Sequence, residues 1–486
     1  MNNGHNSNKN EEPKFNVNTR VSGLVNVGNS CYMNSIIQAL CGTDVFASYL
    51  ISHRFNDDIK PSILKKMYSA EKEEYRKNHN GSTEDFEFQI YPTDLIKKKK
   101  DTLTYWLYKL VNRMWSENCK VRLNKFRELA QKRIVAVRGF NQEDASEFLT
   151  FLIDEIERDL RVRCTITDIK IHTPESSQLS KEYTDIETSI NKEKNSQTKK
   201  QREKELLLRK NEQYNSYALH EYIKTWNEYL NKYGGNYSII VDTFMFAVIS
   251  EIECLTCHIK SIKIDTENMM KVTVPQSDKP VELQDLISKD HNLIETLDDD
   301  NKYNCSICDS KQKALKRMHT WNMPERLIIQ LKLFEIREVN FQYQYNKIYT
   351  KVNFPAILDL NEYKSEYNPL DLNYKYELYA VVHHSGNHRG GHYVSYVKNP
   401  LNNQWFLFND QVIMPATEKT VLSDDPYMLF YKRINTFDSE FDSSDESAES
   451  NSDTDDDIPI VNDNVDPMDK SNYVAPAELV KIEIIQ

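Results

Sequence analysis

The amino-acid sequence predicts an α+β protein whose first half is dominated by helices and whose second half forms a mostly antiparallel sheet. Three observations carry that expectation. Apolar residues recur at helical spacing in the N-terminal part, short β-branched and aromatic runs crowd the C-terminal part, and two CxxC pairs lie among those runs.

The helical part opens in GLVNVGNSCYMNSIIQAL, Gly23 to Leu40, where a polar turn containing Gly28 runs into Met33, Ile36, Ile37 and Leu40. One apolar stripe at that period predicts a helix starting near Cys31. The same period recurs in Leu103, Trp106, Leu107, Leu110, Val111, Met114 and Trp115, and again in Ala145, Phe148, Leu149, Leu152, Ile153, Ile156 and Leu160. The last stripe follows RGFNQED and places Gln142 and Asp144 at a helix start, where a carboxylate is a natural N-cap. From Ser238 to about Arg433, runs such as LIIQLKLF, YELYAVVHH, HYVSYVK, WFLFN and YMLFYKR predict the strands.

The remaining segments read differently. Residues 174–214, with KEKNSQTKKQREKE, show no sustained apolar face and predict a flexible, partly helical insertion. The polar residues 1–21 and the acidic residues 435–486, with DSSDESAESNSDTDDD, are expected to be disordered, leaving one folded unit over 22–434. The acidic tail suits docking of regulatory, basic protein partners.

Composition narrows the classes of function. The 486 residues carry 62 basic and 74 acidic side chains, a formal net charge of −12 that speaks against nucleic acid as a general ligand. No apolar run is long enough to span a bilayer, and the N-terminus lacks an apolar targeting core, so no membrane insertion is expected. Eight cysteines in such a chain are expected to be thiols or metal ligands in a reducing compartment, the cytoplasm or the nucleus.

The chemistry gathers around Cys31. A thiol attacks a carbonyl as the thiolate, and a helix N-terminus supplies the electropositive setting that a nucleophile needs. Asn26, five residues earlier, could donate its amide to a developing oxyanion, or could serve its own turn through its carbonyl. In HHSGNHRGGHYVSYV a glycine-bearing loop leads into a strand with His392 at its start. The next strand, WFLFND, delivers Asn409 and Asp410, either of which could orient that imidazole through its second nitrogen. The order Cys, His, Asn is that of papain-like hydrolases. Separately, Cys254, Cys257, Cys305 and Cys308 offer four soft ligands at the spacing of a closed tetrahedral zinc site, which makes the metal structural.

Taken together, the segments GLVNVGNSCYMNSIIQAL, NQEDASEFL, the paired CxxC motifs, YELYAVVHHSGNHRGGHYVSYVKNPLNNQWFLFND and YMLFYKR resemble, in that order, those of the ubiquitin-specific proteases, papain-like deubiquitinating enzymes. The resemblance implies a helical thumb, a palm built on an antiparallel sheet and zinc-ribbon fingers at about 250–315. It implies a deubiquitinating thiol protease acting on ubiquitin and ubiquitinated proteins, with Cys31 as nucleophile, His392 as base, Asn409 as third member and Asn26 as oxyanion donor. Asp410 stands where some relatives share or transfer the orienting role. By the same resemblance Gln142, Asp144, His384 and Tyr393 border a narrow tunnel for the ubiquitin tail. Ser30 and Leu333 depart from the family pattern, where Thr and Arg are more usual, and Leu333 is expected to have a packing consequence only.

Overall fold

The computed structural model describes residues 19–83, 86, 88, 92–139, 141–160, 162–168, 174–232, 236–291, 294–339, 342–368, 372–387, 390–434 and 481–484. The expected helices form: α1 over Cys31–Cys41, α2 over Leu103–Ser116 and α3 over Ala145–Leu160. α1 is buried along its whole length, packed against α3 on one side and the sheet on the other. Its apolar positions Met33, Ile36, Ile37 and Leu40 join one core with Phe148, Leu149, Leu152 and Ile156 of α3. Each such side chain removed from water contributes about 1.5–3 kcal/mol.

The sheet behind them is eight-stranded among the described residues. Its members, in chain order, include β3 over Met270–Thr273, β6 over Arg326–Lys332, β7 over Lys375–Asn387, β8 over Gly390–Lys398, β9 over Trp405–Asn409, β10 over Val412–Ala416 and β11 over Pro426–Arg433. Their spatial order is β10-β9-β8-β7-β11-β6-β3, with Ile357–Asp359 added on β7. Only the β6–β3 pair in this path is parallel. A second sheet is made of β1 over Phe246–Cys254, β2 over Lys260–Glu267, β4 over Ile294–Leu297 and β5 over Ala314–Asn322, in the order β2-β1-β5-β4. The expected thumb, palm and fingers are these three parts.

Several expectations need correction. The segment 174–214 is helical over most of its length and not only in part: it folds as α4, Pro174–Asn191, and α5, Ser196–Glu212, followed by α6, Tyr214–Lys232. Its apolar residues are sparse, but Tyr183, Ile190 and Leu206 make a small core of their own. Tyr217, Leu219 and Tyr222 of α6 pack on Ile249, Ile262, Ile264 and Trp321 of the fingers. Charged side chains complete the packing. Lys210, 6% exposed, places Nζ 2.5 Å from Glu187 Oε1 and 2.8 Å from Glu221 Oε1. Replacing Lys210 with Met leaves Glu187 and Glu221 to share the more exposed Lys224, at 3.0 and 3.9 Å, and urea unfolding is expected to show a loss of about 3 kcal/mol. A loss below about 1 kcal/mol would show that the network contributes little.

The ordered body also starts earlier than residue 22. Arg20 is 1% exposed and donates to Gln38 Oε1 at 3.0 Å, Gln38 O at 2.7 Å and Cys41 O at 3.3 Å. Its cation thus sits at the carbonyl end of α1, where the helix dipole is negative. Of the expected disordered termini, residues 1–18, 435–480 and 485–486 lie outside the described residues. Lys481–Ile484, within the expected tail, pairs as a strand with Val162–Asp168. Leu333 is buried in the core, which agrees with a packing role. No helix among the described residues is long and apolar enough to cross a membrane.

Candidate active site and metal cluster

The candidate residues meet where the first turn of α1 faces β8 and β9. Cys31 is the first residue of its helix, and Gln142 Nε2 lies 3.5 Å from its Sγ. The backbone of Tyr393 also hydrogen-bonds the thiol. Gln142 reaches across the cleft to Gly391, donating to its carbonyl and accepting from its N–H at 2.7 Å. One carboxamide therefore touches the thiol and the residue before His392.

His392 sits in a different local setting from the one expected. The segment 384–391 is mostly strand: β7 runs through Asn387 and β8 begins at Gly390, with residues 388 and 389 outside the described ones. His392 pairs with Ser385, the third step from the hairpin end. Antiparallel pairing of Ser385, Gly386 and Asn387 with His392, Gly391 and Gly390 extends both strands further than the glycines suggested.

The orienting question has a geometric answer. His392 Nε2 lies 2.7 Å from Asn409 Oδ1, whereas Asp410 turns away. Asp410 occupies the left-handed region, φ 50°, at the turn after β9. From there its Oδ2 accepts from Asn26 Nδ2 at 2.9 Å and its Oδ1 from Asn34 Nδ2 at 2.7 Å. Its carbonyl accepts from Leu24 N at 3.0 Å. Asn26 does hold its own turn, as one reading of the sequence had it: Oδ1 accepts from Gly28 N at 3.0 Å and Ser30 N at 3.2 Å. Because only the carbonyl end is used for the turn and one amide hydrogen for Asp410, the amide keeps a further hydrogen for a ligand.

Electrostatics at Cys31 run against the helix-start argument. Burial pushes the thiol above its ordinary range, and the Asp410 charge adds to this, while bonds from Tyr393 and Gln142 act the other way. In the free protein, iodoacetamide should therefore alkylate Cys31 slowly near pH 7, with the rise displaced to higher pH than for an exposed cysteine. Peptide mapping by mass spectrometry across pH reads this directly. A rate already at its plateau near pH 7 contradicts the protonated resting thiol.

Asp144 is the N-cap of α3, accepting on Oδ1 from Ser146 N at 2.8 Å and Glu147 N at 3.0 Å. Its Oδ2 accepts from the Tyr427 hydroxyl. The Tyr393 and His384 rings pack with a 37° tilt at 4.5 Å between centres, with Tyr427 at 5.9 Å from Tyr393. His384 is pushed down to about 4 by burial and by Lys347, whose Nζ donates to the His384 carbonyl at 2.7 Å. These groups form one wall with Gly391, where a Cβ would meet His384 Nε2 and the Ser385 carbonyl at 2.3 Å. Asn34, Tyr427 and Lys347 were not singled out in the sequence. Asn34 had a signal, a polar residue one turn after Cys31 on a buried helix; the other two depend on long-range register.

The four cysteines cluster as expected. Cys254 Sγ is 3.9 Å from Cys308 Sγ, Cys257 Sγ is 3.6 Å from Cys305 Sγ, and all four sulfurs lie within 4.8 Å of one another. A tetrahedron with metal–sulfur bonds of about 2.3 Å has edges of about 3.8 Å. The set fits one tetrahedral ion.

Comparison with known proteins places the whole arrangement. The family described as "Ubiquitin carboxyl-terminal hydrolase" matches residues 22–431. The chain belongs to the ubiquitin carboxyl-terminal hydrolase family. Among its relatives, a probable ubiquitin carboxyl-terminal hydrolase of Acanthamoeba polyphaga mimivirus is 25% identical over 446 residues, covering 86% of this chain and 91% of that protein. Ubiquitin carboxyl-terminal hydrolase 2 of Rattus norvegicus is 27% identical over 420 residues. That alignment covers 85% of this chain but 54% of the rat protein, so the chain spans about half of that relative. A similar solved structure is that of the SAGA Ubp8/Sgf11/Sus1/Sgf73 DUB module bound to ubiquitin aldehyde, with a TM-score of 0.53, 21% identity and coverage of 86% of this chain and 70% of that one. The ubiquitin carboxyl-terminal hydrolase fold is thus shared at low identity.

Proposed function

We propose that the chain is a cysteine-type deubiquitinase that hydrolyses the peptide or isopeptide bond after the last glycine of ubiquitin. The observation that carries this reading is the His392 Nε2–Asn409 Oδ1 bond beside a helix-start cysteine, in a chain of this family.

The chemistry follows from which atoms are already engaged. Asn409 Oδ1 accepts from Nε2–H, which leaves the lone pair of the neutral imidazole on Nδ1, the nitrogen that takes the Cys31 proton. The thiolate attacks the carbonyl carbon of ubiquitin's last glycine, and the remaining amide hydrogen of Asn26 meets the oxyanion. Asp410 is a positioning residue that aims Asn26. The imidazolium then returns its proton to the departing lysine amine, and water, activated by the same nitrogen, hydrolyses the thioester. Selection of Gly-Gly rests on Gly391 and on the Tyr393, His384 and Tyr427 wall, where side chains of the substrate would find no space. Gln142 and Asp144 border the same passage.

Zinc is the metal that four thiolates at this spacing favour; Cys254, Cys257, Cys305 and Cys308 would hold it with no position left open for water, and so would cross-link the fingers through it. The fingers it stiffens hold the body of ubiquitin in this reading.

Ubiquitin carrying a C-terminal electrophile tests the proposal. The wild-type protein is expected to gain the mass of one ubiquitin and Cys31→Ala none. Binding of the probe without labelling of the wild type would defeat the protease reading, and labelling only by a different Gly-Gly modifier would move the substrate.

A further inference from the structure

The helix α5, inside the segment that reads as a flexible insertion, presents one consistent face to the fingers. Lys200, Lys204, Leu207 and Asn211 are spaced i, i+4, i+7 and i+11, which aligns them along one side of a helix. At the N-terminal end of this stripe, Lys200 pairs with Asp309 Oδ1 and Lys204 Nζ lies 3.8 Å from Asp309 Oδ2. Leu207 packs on the apolar patch shared with Ile249 and Ile262. At the other end, Asn211 clasps the backbone of Lys260, donating to its carbonyl at 2.9 Å and accepting from its N–H at 2.8 Å.

Those two contact points are the two arms of the cysteine cluster. Asp309 follows Cys308 directly, in the left-handed region at φ 58°, and its N–H closes the second knuckle on Cys305 O at 2.9 Å. Lys260 lies three residues after Cys257 and begins the strand that leaves the first knuckle. The arms are 48 residues apart in sequence across the Cys257–Cys305 contact. A single helix holds both.

We infer that α5 is a brace on the metal site: it pre-assembles the four thiols and its lysines screen the cluster, so that the insertion controls how tightly the ion is kept. Taken alone, Lys200 and Asp309 are 54% and 56% exposed, and such a pair contributes little. Its setting changes that. Four thiolates around a divalent ion carry excess negative charge, and Asp309 adds more one residue away from a ligand. Without the two lysines this charge pushes the knuckles apart, and without Asn211 the first arm loses its hold on the second.

The inference rests on the metal reading of the cysteines, and the experiment separates the two. Full-length protein is loaded with zinc, its stoichiometry is measured, and zinc release to a chromogenic chelator is followed with time. Lys200→Glu/Lys204→Glu is expected to release zinc roughly fivefold faster or more than wild type, with circular dichroism of the loaded protein unchanged. Added salt should speed release from the wild type and slow it in the variant, because screening weakens the attraction in one and the repulsion in the other. The swap Lys200→Asp/Asp309→Lys should recover most of the wild-type rate. Should the charge reversal prevent folding, Asn211→Ala offers the second route, and faster release is expected there also. Release within twofold of wild type in every folded variant would overturn the brace alone. A wild-type protein that takes up no zinc would overturn the metal reading beneath it.

Discussion

Asn409→Ala is expected to lower turnover of a ubiquitin substrate by about a hundredfold or more while ubiquitin affinity stays within about twofold of wild type. The asparagine is the acceptor on His392 Nε2, at 2.7 Å, and nothing else described bonds that nitrogen. Its loss frees the ring to rotate and removes the preference for the tautomer with a basic Nδ1. It does not line the wall against which the substrate lies. Asp410→Ala should behave differently. Its carboxylate holds the amides of Asn26 and Asn34, and Asn34 is 2% exposed, so its removal strands a buried donor at a cost of about 1–3 kcal/mol. The expected signature is lower turnover together with lower stability. If Asn409→Ala kept more than half of its turnover and Asp410→Ala lost nearly all, the orienting role would pass to Asp410.

Gly391→Ala should be nearly as severe by a different route. The added methyl would sit 2.3 Å from the Ser385 carbonyl and from His384 Nε2, and the carbonyl belongs to the paired strand and cannot swing aside. The β7–β8 hairpin must shift, taking His392 with it, and labelling by a ubiquitin electrophile is expected to fall more than tenfold. Gly390→Ala is the matched control. Its methyl meets only Gln142 Oε1 at 3.6 Å, an ordinary contact, and labelling should remain near wild type. Equal labelling by both variants would remove the steric account of the tunnel.

What could be read in the chain and what could not divides along physical lines. The helix start at Cys31 and the strand end at Asn409 were legible because each stands in a short segment with a clear local pattern, whereas the long hairpin around His392 was not. The CxxC pairs were legible because ligand spacing is itself geometric. The role of Asp410 was not, since both of its partners come from the opposite end of the chain and only the fold brings them to it. The influences on the Cys31 thiol were legible only in part for a related reason: a helix N-terminus is a local feature, but burial, which raises the thiol, is set by everything packed around it. The extent of helix in the insertion was not legible because Lys, Glu and Gln are at once the commonest residues of flexible segments and good helix formers. Composition does not distinguish them, and the ion pairs around Lys210 that complete the helical packing lie between residues far apart in sequence.

The order of strands in the palm has a consequence for synthesis. β11 is the last strand of the sheet to be made, yet it lies inside, between β7 and β6, so a nascent chain holds a gap in the centre of its palm until Arg433 has emerged. Cys31 and Asn26 leave the ribosome early, and Asn26 waits 384 residues for the aspartate that aims it. Under the proposed mechanism a half-made chain has its nucleophile without a base or an oxyanion site, and reactivity is expected only once the body is nearly complete.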